Sequence, residues 1–318
     1  DLKFLKDKLF VTAEYFKDKR DNILTTMNTI PFLTGISSGA YNIGKTENHG
    51  FEIESGWAHS LGGFNYYIRG NYSFARNKIV EMDEAFNLEN PHLWRTGRRI
   101  GEVFGYVQEG FFQSQEEIDA WPSQFGVTLS PGDVKYRDVN GDGVVNTYDQ
   151  VPLRHPNFPE ISYGISGGFS YKKFDMSFLF QGTGNVSLTL SGQYQKPFSS
   201  LGTIYEHQRD KSWRQETMSA AEYPRLSASH SQEQNYYNST IWVKDASYLR
   251  FKNLEFGYTF SANRLLNKKQ TNIRVYLSAQ NLWVWDKLDG IIDPENKAAE
   301  IINYPQQRIF NVGMNVKF

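Results

Sequence analysis

Apolar and polar residues alternate with a period of two along several stretches of the chain. Phe51, Ile53, Ser55 and Trp57 alternate with Glu52, Glu54, Gly56 and Ala58. Beyond Leu61-Gly62-Gly63, Phe64, Tyr66, Ile68, Gly70, Tyr72 and Phe74 alternate with Asn65, Tyr67, Arg69, Asn71, Ser73 and Ala75. Successive side chains of a strand point to opposite faces, so this pattern predicts a hairpin with one apolar and one polar face. Ile161, Tyr163, Ile165, Gly167, Phe169 and Tyr171 repeat it, and Phe174, Met176, Phe178 and Phe180 resume it after Lys172-Lys173. Residues 273–279 and 309–318 carry it again, while residues 9–17, reached from a stub at 1–5, alternate only roughly. In 248–260 the phase changes between Phe251 and Leu254, which predicts a bulge near Lys252-Asn253.

The connections between these strands fall into two classes. Those at 6–8, 61–63, 172–173 and 261–272 are short, and those at 18–48, 81–160, 182–240 and 283–308 are long. Short and long alternate strictly, as the periplasmic turns and extracellular loops of outer-membrane barrels do. A soluble sandwich has no reason to gather its long loops at one end. The expected fold is therefore all-β, a transmembrane antiparallel β-barrel with long extracellular loops. Eight full strands plus the stub are predicted. A barrel of about eight strands has a lumen filled by side chains and is a small base for such loops. The chain also opens inside a strand with no leader. Both points lead to the expectation of the C-terminal part of a larger barrel, with 309–318 as the strand that closes the ring.

Within the loops, Ser114 precedes Glu116 and Glu117 as a candidate N-cap for a short helix over 114–120. The rest of 81–160 and 182–240 shows little alternation. Structureless connections of that length are usually functional.

Composition narrows the chemistry. The absence of cysteine removes disulfides, zinc–thiolate sites and thiol nucleophiles. A net charge of −1 gives no sign of a polyanion-binding surface. Aromatic residues reach 15%, yet no apolar run approaches the ~18 residues of a membrane helix. His49, His59, His92, His155, His207 and His230 are scattered, without metal-ligand spacing. There is no Gly-x-Ser-x-Gly elbow, no phosphate-binding glycine loop and no basic stripe for nucleic acid. No enzyme is expected.

Several stretches resemble the C-terminal third of SusC/RagA-type TonB-dependent outer-membrane transporters. They are residues 46–52 (TENHGFE), 98–106 (RRIGEVFGY), 131–143 (PGDVKYRDVNGDG), 248–254 (YLRFKNL) and 279–283 (AQNLW), with the terminal Phe318. The resemblance implies a plugged barrel of about 22 strands, whose plug, TonB box and first strands are not in this sequence. It further implies TonB-driven import of oligosaccharides or peptides across the outer membrane of a Gram-negative, Bacteroidetes-type bacterium. The implied partner is a SusD/RagB-like surface lipoprotein that lids the mouth. A siderophore or vitamin receptor of the same architecture without a lid is the alternative. A small-barrel hydrolase or adhesin stands further off.

Three sets of residues are candidates for function. Asp138, Asn140, Asp142, the Val144 carbonyl, Asn146 and Asp149 fit a calcium loop, with Gly143 at the sharp turn. Asp149 stands where Glu is usual, and its shorter reach bears on a bidentate contact. A glycine-rich turn bonded to its own backbone is the simpler alternative. Trp94, Trp121, Trp213 and Trp242 lie in or beside the long loops, as ligand or lid contacts or as packing between loops. Trp283, Trp285 and Phe318 are placed in the aromatic girdle at the membrane boundary.

Overall fold

The computed structural model describes residues 1–27, 29, 39–85, 87–199, 202–227, 230–261, 271–296 and 306–317. Nine strands form one antiparallel sheet in simple chain order. They are β1 (Leu2–Phe4), β2 (Leu9–Thr26), β3 (Ala40–Leu61), β4 (Phe64–Glu81), β5 (Ile161–Tyr171), β6 (Phe174–Gly184), β7 (Tyr248–Ser261), β8 (Asn272–Trp285) and β9 (Ile309–Lys317). These are the eight expected strands and the stub.

The register brings the apolar positions side by side. One row runs Phe4, Leu9, Trp57, Ile68, Gly167, Phe178, Leu254, Ala279 and Phe310 across all nine strands. Ile68 is 49% exposed and Phe310 71% exposed, so this face is covered by no other part of the described chain. A neighbouring row on the other face runs Thr12, Glu54, Asn71, Gly164, Gln181 and Arg250. A one-residue slip anywhere would exchange the two faces. The bulge is where the change of phase placed it: Phe180 pairs with Phe251 and Leu179 with Asn253, leaving Lys252 over.

The short turns gather at one end of the sheet. Gly62 and Gly63 have φ of +54° and +85°. Both signs match the two-residue hairpin that follows the twist of the strands, and glycine reaches them without steric cost. The turn after Ser261 lies mostly outside the described residues.

Two expectations are corrected. β2 and β3 do not end near residues 17 and 48. They pair on from Lys17↔His49 to Thr26↔Ala40, which shrinks the expected 18–48 loop to 27–39. At about 3.3 Å per residue the 22 residues of β3 span roughly 70 Å, well over twice the ~30 Å hydrocarbon core of a bilayer. Beyond the bilayer both faces meet water, so alternation stops while the hydrogen-bonded ladder continues. The Lys17–Glu47 ion pair, at 2.9 Å, lies in this polar extension.

The second correction concerns the long connections, which are folded rather than structureless. They carry four two-stranded pieces, pairing Glu102–Gly105 with Val151–Pro156, Gln108–Phe111 with Val134–Tyr136, Ser123–Gln124 with Val144–Val145, and Ser187–Thr189 with Val243–Asp245. The short helix is present as α1 (Gln115–Asp119), with Ser114 Oγ accepting from the Glu117 N–H at 3.3 Å. The hydrophobic core of the chain lies here and not against the sheet. Tyr106, Tyr136, Leu190, Trp242, Leu288 and Ile292 are among its buried members and come from all three connections after β4, β6 and β8.

Candidate functional site

The candidate functional end of the molecule is the set of long connections and the strand ends that hold them. Glu160, just before β5, is the joint. Its buried carboxylate accepts from Arg76 of β4 at 2.7 and 2.8 Å and from Asn185 at 3.1 Å, with Arg99 at 3.4 Å. Burial pushes its carboxyl up, but Arg76 and Arg99 outweigh that and hold it below the usual range. Arg99 also pairs with Glu102 and donates to the Arg154 carbonyl at 3.1 Å. Apart from Arg99 and Glu102, which are three residues apart, these partners lie far from one another in sequence.

Above this joint, Arg95, Glu102, Phe104, Tyr106, Phe125 and Tyr237 help to line an open recess of about 610 Å³. Glu84 accepts from the Arg95 and Thr96 N–H groups at 2.6 and 2.8 Å, which fixes the turn that presents Arg95. The Arg95 guanidinium sits 4.5 Å from the centre of the Phe104 ring. The Phe125 and Tyr237 rings stand at 90° with centres 5.0 Å apart. Gln150 donates to the Tyr106 hydroxyl at 3.2 Å, and burial pushes that phenol up.

Gly105 brings two connections together at this place. Tyr106 N–H donates to the Asn238 carbonyl at 2.9 Å, and Thr240 N–H donates to the Tyr106 carbonyl at 3.0 Å. A Cβ on Gly105 would fall 2.1 Å from that Asn238 oxygen, so no larger residue allows the approach.

Asp133 is a second tie. It is fully buried and accepts from Arg225 Nε at 2.7 Å, Asn235 Nδ2 at 2.9 Å and the Ser130 N–H at 2.9 Å. Asn235 in turn accepts from the Val134 N–H at 2.8 Å.

The 138–149 segment forms a tight loop bonded to its own backbone. Asp138 accepts from Gly141 and Gly143 N–H at 2.7 and 2.8 Å, and Asp142 from Val144 N–H at 2.8 Å. Asn140 accepts from Asp142 N–H at 3.1 Å and Asn146 from Tyr148 N–H at 2.8 Å. Asp149 is buried, and its two oxygens accept from Val139 and Asn146 N–H, each at 2.7 Å. Among the described residues no group of three or more His, Asp or Glu side chains is arranged to hold a metal. The fit to a cation is therefore partial, since the residue meant to close its shell points both oxygens at backbone amides.

The loop tryptophans divide. Trp242 is 1% exposed, at the centre of the core, and donates to the Asn235 carbonyl at 2.8 Å, so it presents no face to a ligand or partner. Trp94, Trp121 and Trp213 are half-buried and donate to Asn87 O, Tyr136 O and Gln113 Oε1 at 2.9, 3.0 and 3.1 Å. Trp283 and Trp285 are 53% and 49% exposed on the apolar face near the loop end of β8, where Trp285 stacks on Phe180. Phe318 lies outside the described residues.

The polar face of the sheet encloses a recess of about 720 Å³, lined by Glu14, Glu52, Glu54, Arg69, Asn71 and Gln181 among others. Glu52 accepts from Ser73 Oγ at 3.0 Å.

An apolar outer face, a polar inner face, tight turns at one end and folded loops at the other match known proteins. Residues 1–282 match the family described as TonB dependent receptor-like, beta-barrel. TonB-dependent receptor P26 of Formosa agariphila is 29% identical over 98% of this chain and 33% of its own length. TonB-dependent receptor SusC of Bacteroides thetaiotaomicron is 24% identical over the whole of this chain and 31% of its own length. Among solved structures, the RagAB peptide importer in its open-open state superposes over 98% of this chain and 33% of that chain, with a TM-score of 0.68 and 18% identity. The chain thus spans about a third of the length of these relatives. The nine-stranded sheet is a segment of barrel wall, and the chain belongs to the outer-membrane β-barrel family of TonB-dependent receptors, with SusC among its relatives.

Proposed function

We propose that the intact protein imports oligosaccharides or peptides across the outer membrane of a Bacteroidetes-type bacterium, driven by TonB. A SusD/RagB-like surface lipoprotein would close its mouth, and the residues described here would serve as wall and extracellular loops without enzymatic activity. One observation carries this reading: the three connections after β4, β6 and β8 share a single hydrophobic core at one end of a polar-lined wall. Such a core gives a shaped surface for a ligand and a lid, which independent loops would not give. Half-buried Trp94, Trp121 and Trp213 belong to that surface. The coupling to TonB would come from the part of the protein outside this chain.

The test is uptake by cells carrying the full-length protein, with and without TonB, together with identification of proteins that co-purify in mild detergent. TonB-dependent uptake with a lipoprotein partner supports the lidded importer. TonB-dependent uptake of an iron chelate or vitamin without such a partner supports the lidless receptor instead.

Calcium at the 138–149 loop is a separate part of the proposal. Asp138, Asn140, Asp142, the Val144 carbonyl and Asn146 would hold it, and Asp149 would tie the loop ends from beneath. Its role would be to stiffen an external loop. A chelator that leaves the cleavage rate of this loop by protease unchanged would remove the proposal.

A further inference from the structure

The outer face of the wall changes character where its apolar rows end on β2, β3 and β4. The last aromatic row is Tyr15, Phe51 and Phe74, side by side on the three strands. Tyr15 is 69% exposed, and the Phe51 and Phe74 rings lie 5.7 Å apart. On the same face, the next row toward the loops is Lys17, His49 and Arg76, and the one after it Lys19, Glu47 and Lys78. Arg76 lies back over Phe74, its guanidinium 5.3 Å from the ring centre, while Glu160 balances its charge. Lys17 pairs with Glu47. Lys19 and Lys78 are exposed, flank Glu47 in the register, and make no ion pair among the described residues. Three lysines therefore share one carboxylate. At the same level the inner face carries Asp18, Asn48 and Asn77, so the positive charge is sorted to the outside. Nearer the loops Lys45 is matched by Glu81, and the excess ends.

Height decides what these lysines meet. From Phe64 beside the short turn, the strand climbs to Phe74. At ~3.3 Å per residue and a tilt of ~35–45° this is a rise of roughly 23–27 Å, about the height of the apolar band of such a barrel. By the same measure Arg76 and Lys78 stand roughly 5 and 10 Å higher, where a bilayer has a headgroup layer ~5–8 Å deep. A lysine rooted at the outer edge of that layer reaches down into it with its flexible stem.

We propose that Lys17, Lys19 and Lys78 form a docking surface for the phosphorylated headgroup of an outer-leaflet lipid, whose acyl chains lie along the apolar rows beneath. A phosphate supplies the anion that the two unmatched lysines lack. The chains cover Ile53, Ile68 and Tyr72, which are exposed on the same face. A soluble acidic partner would match the charge but not the apolar surface continuous with it. The assignment depends on which side of the wall meets lipid, and not on what the protein imports.

The experiment uses the full-length protein, delipidated in a nonionic detergent, with any partner that co-purifies. It is titrated with bisphosphorylated lipid A and, separately, with the same lipid after enzymatic removal of both phosphates. Native mass spectrometry counts the bound lipid. Lys19→Gln/Lys78→Gln is compared with the parent and with Lys172→Gln/Lys173→Gln at the opposite end of the wall. The expected result is a preference for the phosphorylated lipid, weakened at least about tenfold by the first pair and unchanged by the second. Glu47→Gln, which removes the carboxylate between the lysines, is expected to tighten binding, a gain that damage to the fold could not produce. Equal binding of the two lipids by the parent would overturn the headgroup assignment. A preference that survives Lys19→Gln/Lys78→Gln would overturn the site. Inorganic pyrophosphate bound as tightly as the lipid would overturn the part given to the acyl chains. A co-purifying protein released by the first pair, with no lipid preference in the parent, would assign the surface to that protein instead.

Discussion

Arg225 donates to Asp133 at 2.7 Å across two separate long connections, and the carboxylate it reaches has no exposure to solvent. The pair holds the 82–160 connection to the one after β6. Removing one partner leaves an uncompensated charge in the core, which typically costs about 3–5 kcal/mol. Arg225→Ala and Asp133→Ala are each expected to make the loops cleavable under native conditions while the strands stay resistant. The double variant should be less damaged than the sum of the two, because it strands no charge. Limited proteolysis followed by mass spectrometry checks this.

Gly105 is the point of closest approach between the same two connections. Gly105→Ala places a methyl 2.1 Å from the Asn238 carbonyl, so the backbones must separate. A loss of about 1–3 kcal/mol is expected, as for overpacking elsewhere. Amide hydrogen exchange should quicken at Tyr106 and Thr240, whose N–H groups make the bridging bonds. Unchanged protection there would show that the approach is not tight.

Trp242 and Trp283 provide a contrast within one residue type. Trp242→Ala empties the centre of the loop core and is expected to cost about 3–5 kcal/mol. Trp283→Ala, on the exposed apolar face, should leave the loop melting transition where it was. Thermal unfolding in detergent, followed by loop proteolysis at each temperature, separates the two.

Acid should loosen the loops in two stages. His207 is held below its ordinary value by burial and by Lys211, and its ring packs on Tyr205 with centres 5.6 Å apart. A histidine depressed in the folded state stabilises it above the unfolded pKa of about 6.5 and loses that contribution as pH falls. Burial pushes Asp245 up, but Lys287 and the Ser247 N–H hold it at about 2. Its contribution is present above the unfolded value of about 3.9 and fades as pH falls through 2. His207→Gln should abolish the first stage and leave the second. Tryptophan fluorescence against pH reads both.

The sheet was largely legible in the sequence because a wall between lipid and a polar lumen writes itself as period two. Parity placed Trp57, Ile68, Phe256 and Leu277 on their strands' apolar faces. The register that sets Trp57 beside Ile68 and Phe256 beside Leu277 is seen only in the structure. The Lys252 bulge followed from one break in parity. Legibility stopped where the two sides became alike. Lys17 to Thr26 remain strand although nothing in their polarity shows it. The loop core was illegible for another reason. Tyr136 meets Gln234, and Asp133 meets Arg225, through contacts about a hundred residues apart that no window along the chain contains. Trp242, grouped with the other loop tryptophans by its position, is buried by the same long-range packing. Glu102 carries no signal beyond its place in the Arg98-to-Tyr106 run.

The shared core has a bearing on how fast and how firmly anything binds. Loops that order only on contact surrender conformational entropy at the moment of capture, and affinity falls accordingly. Here Trp242, Tyr136 and Leu288 have already fixed three connections against one another. An incoming molecule meets a surface that is set before it arrives, and a push on one connection is shared by all three.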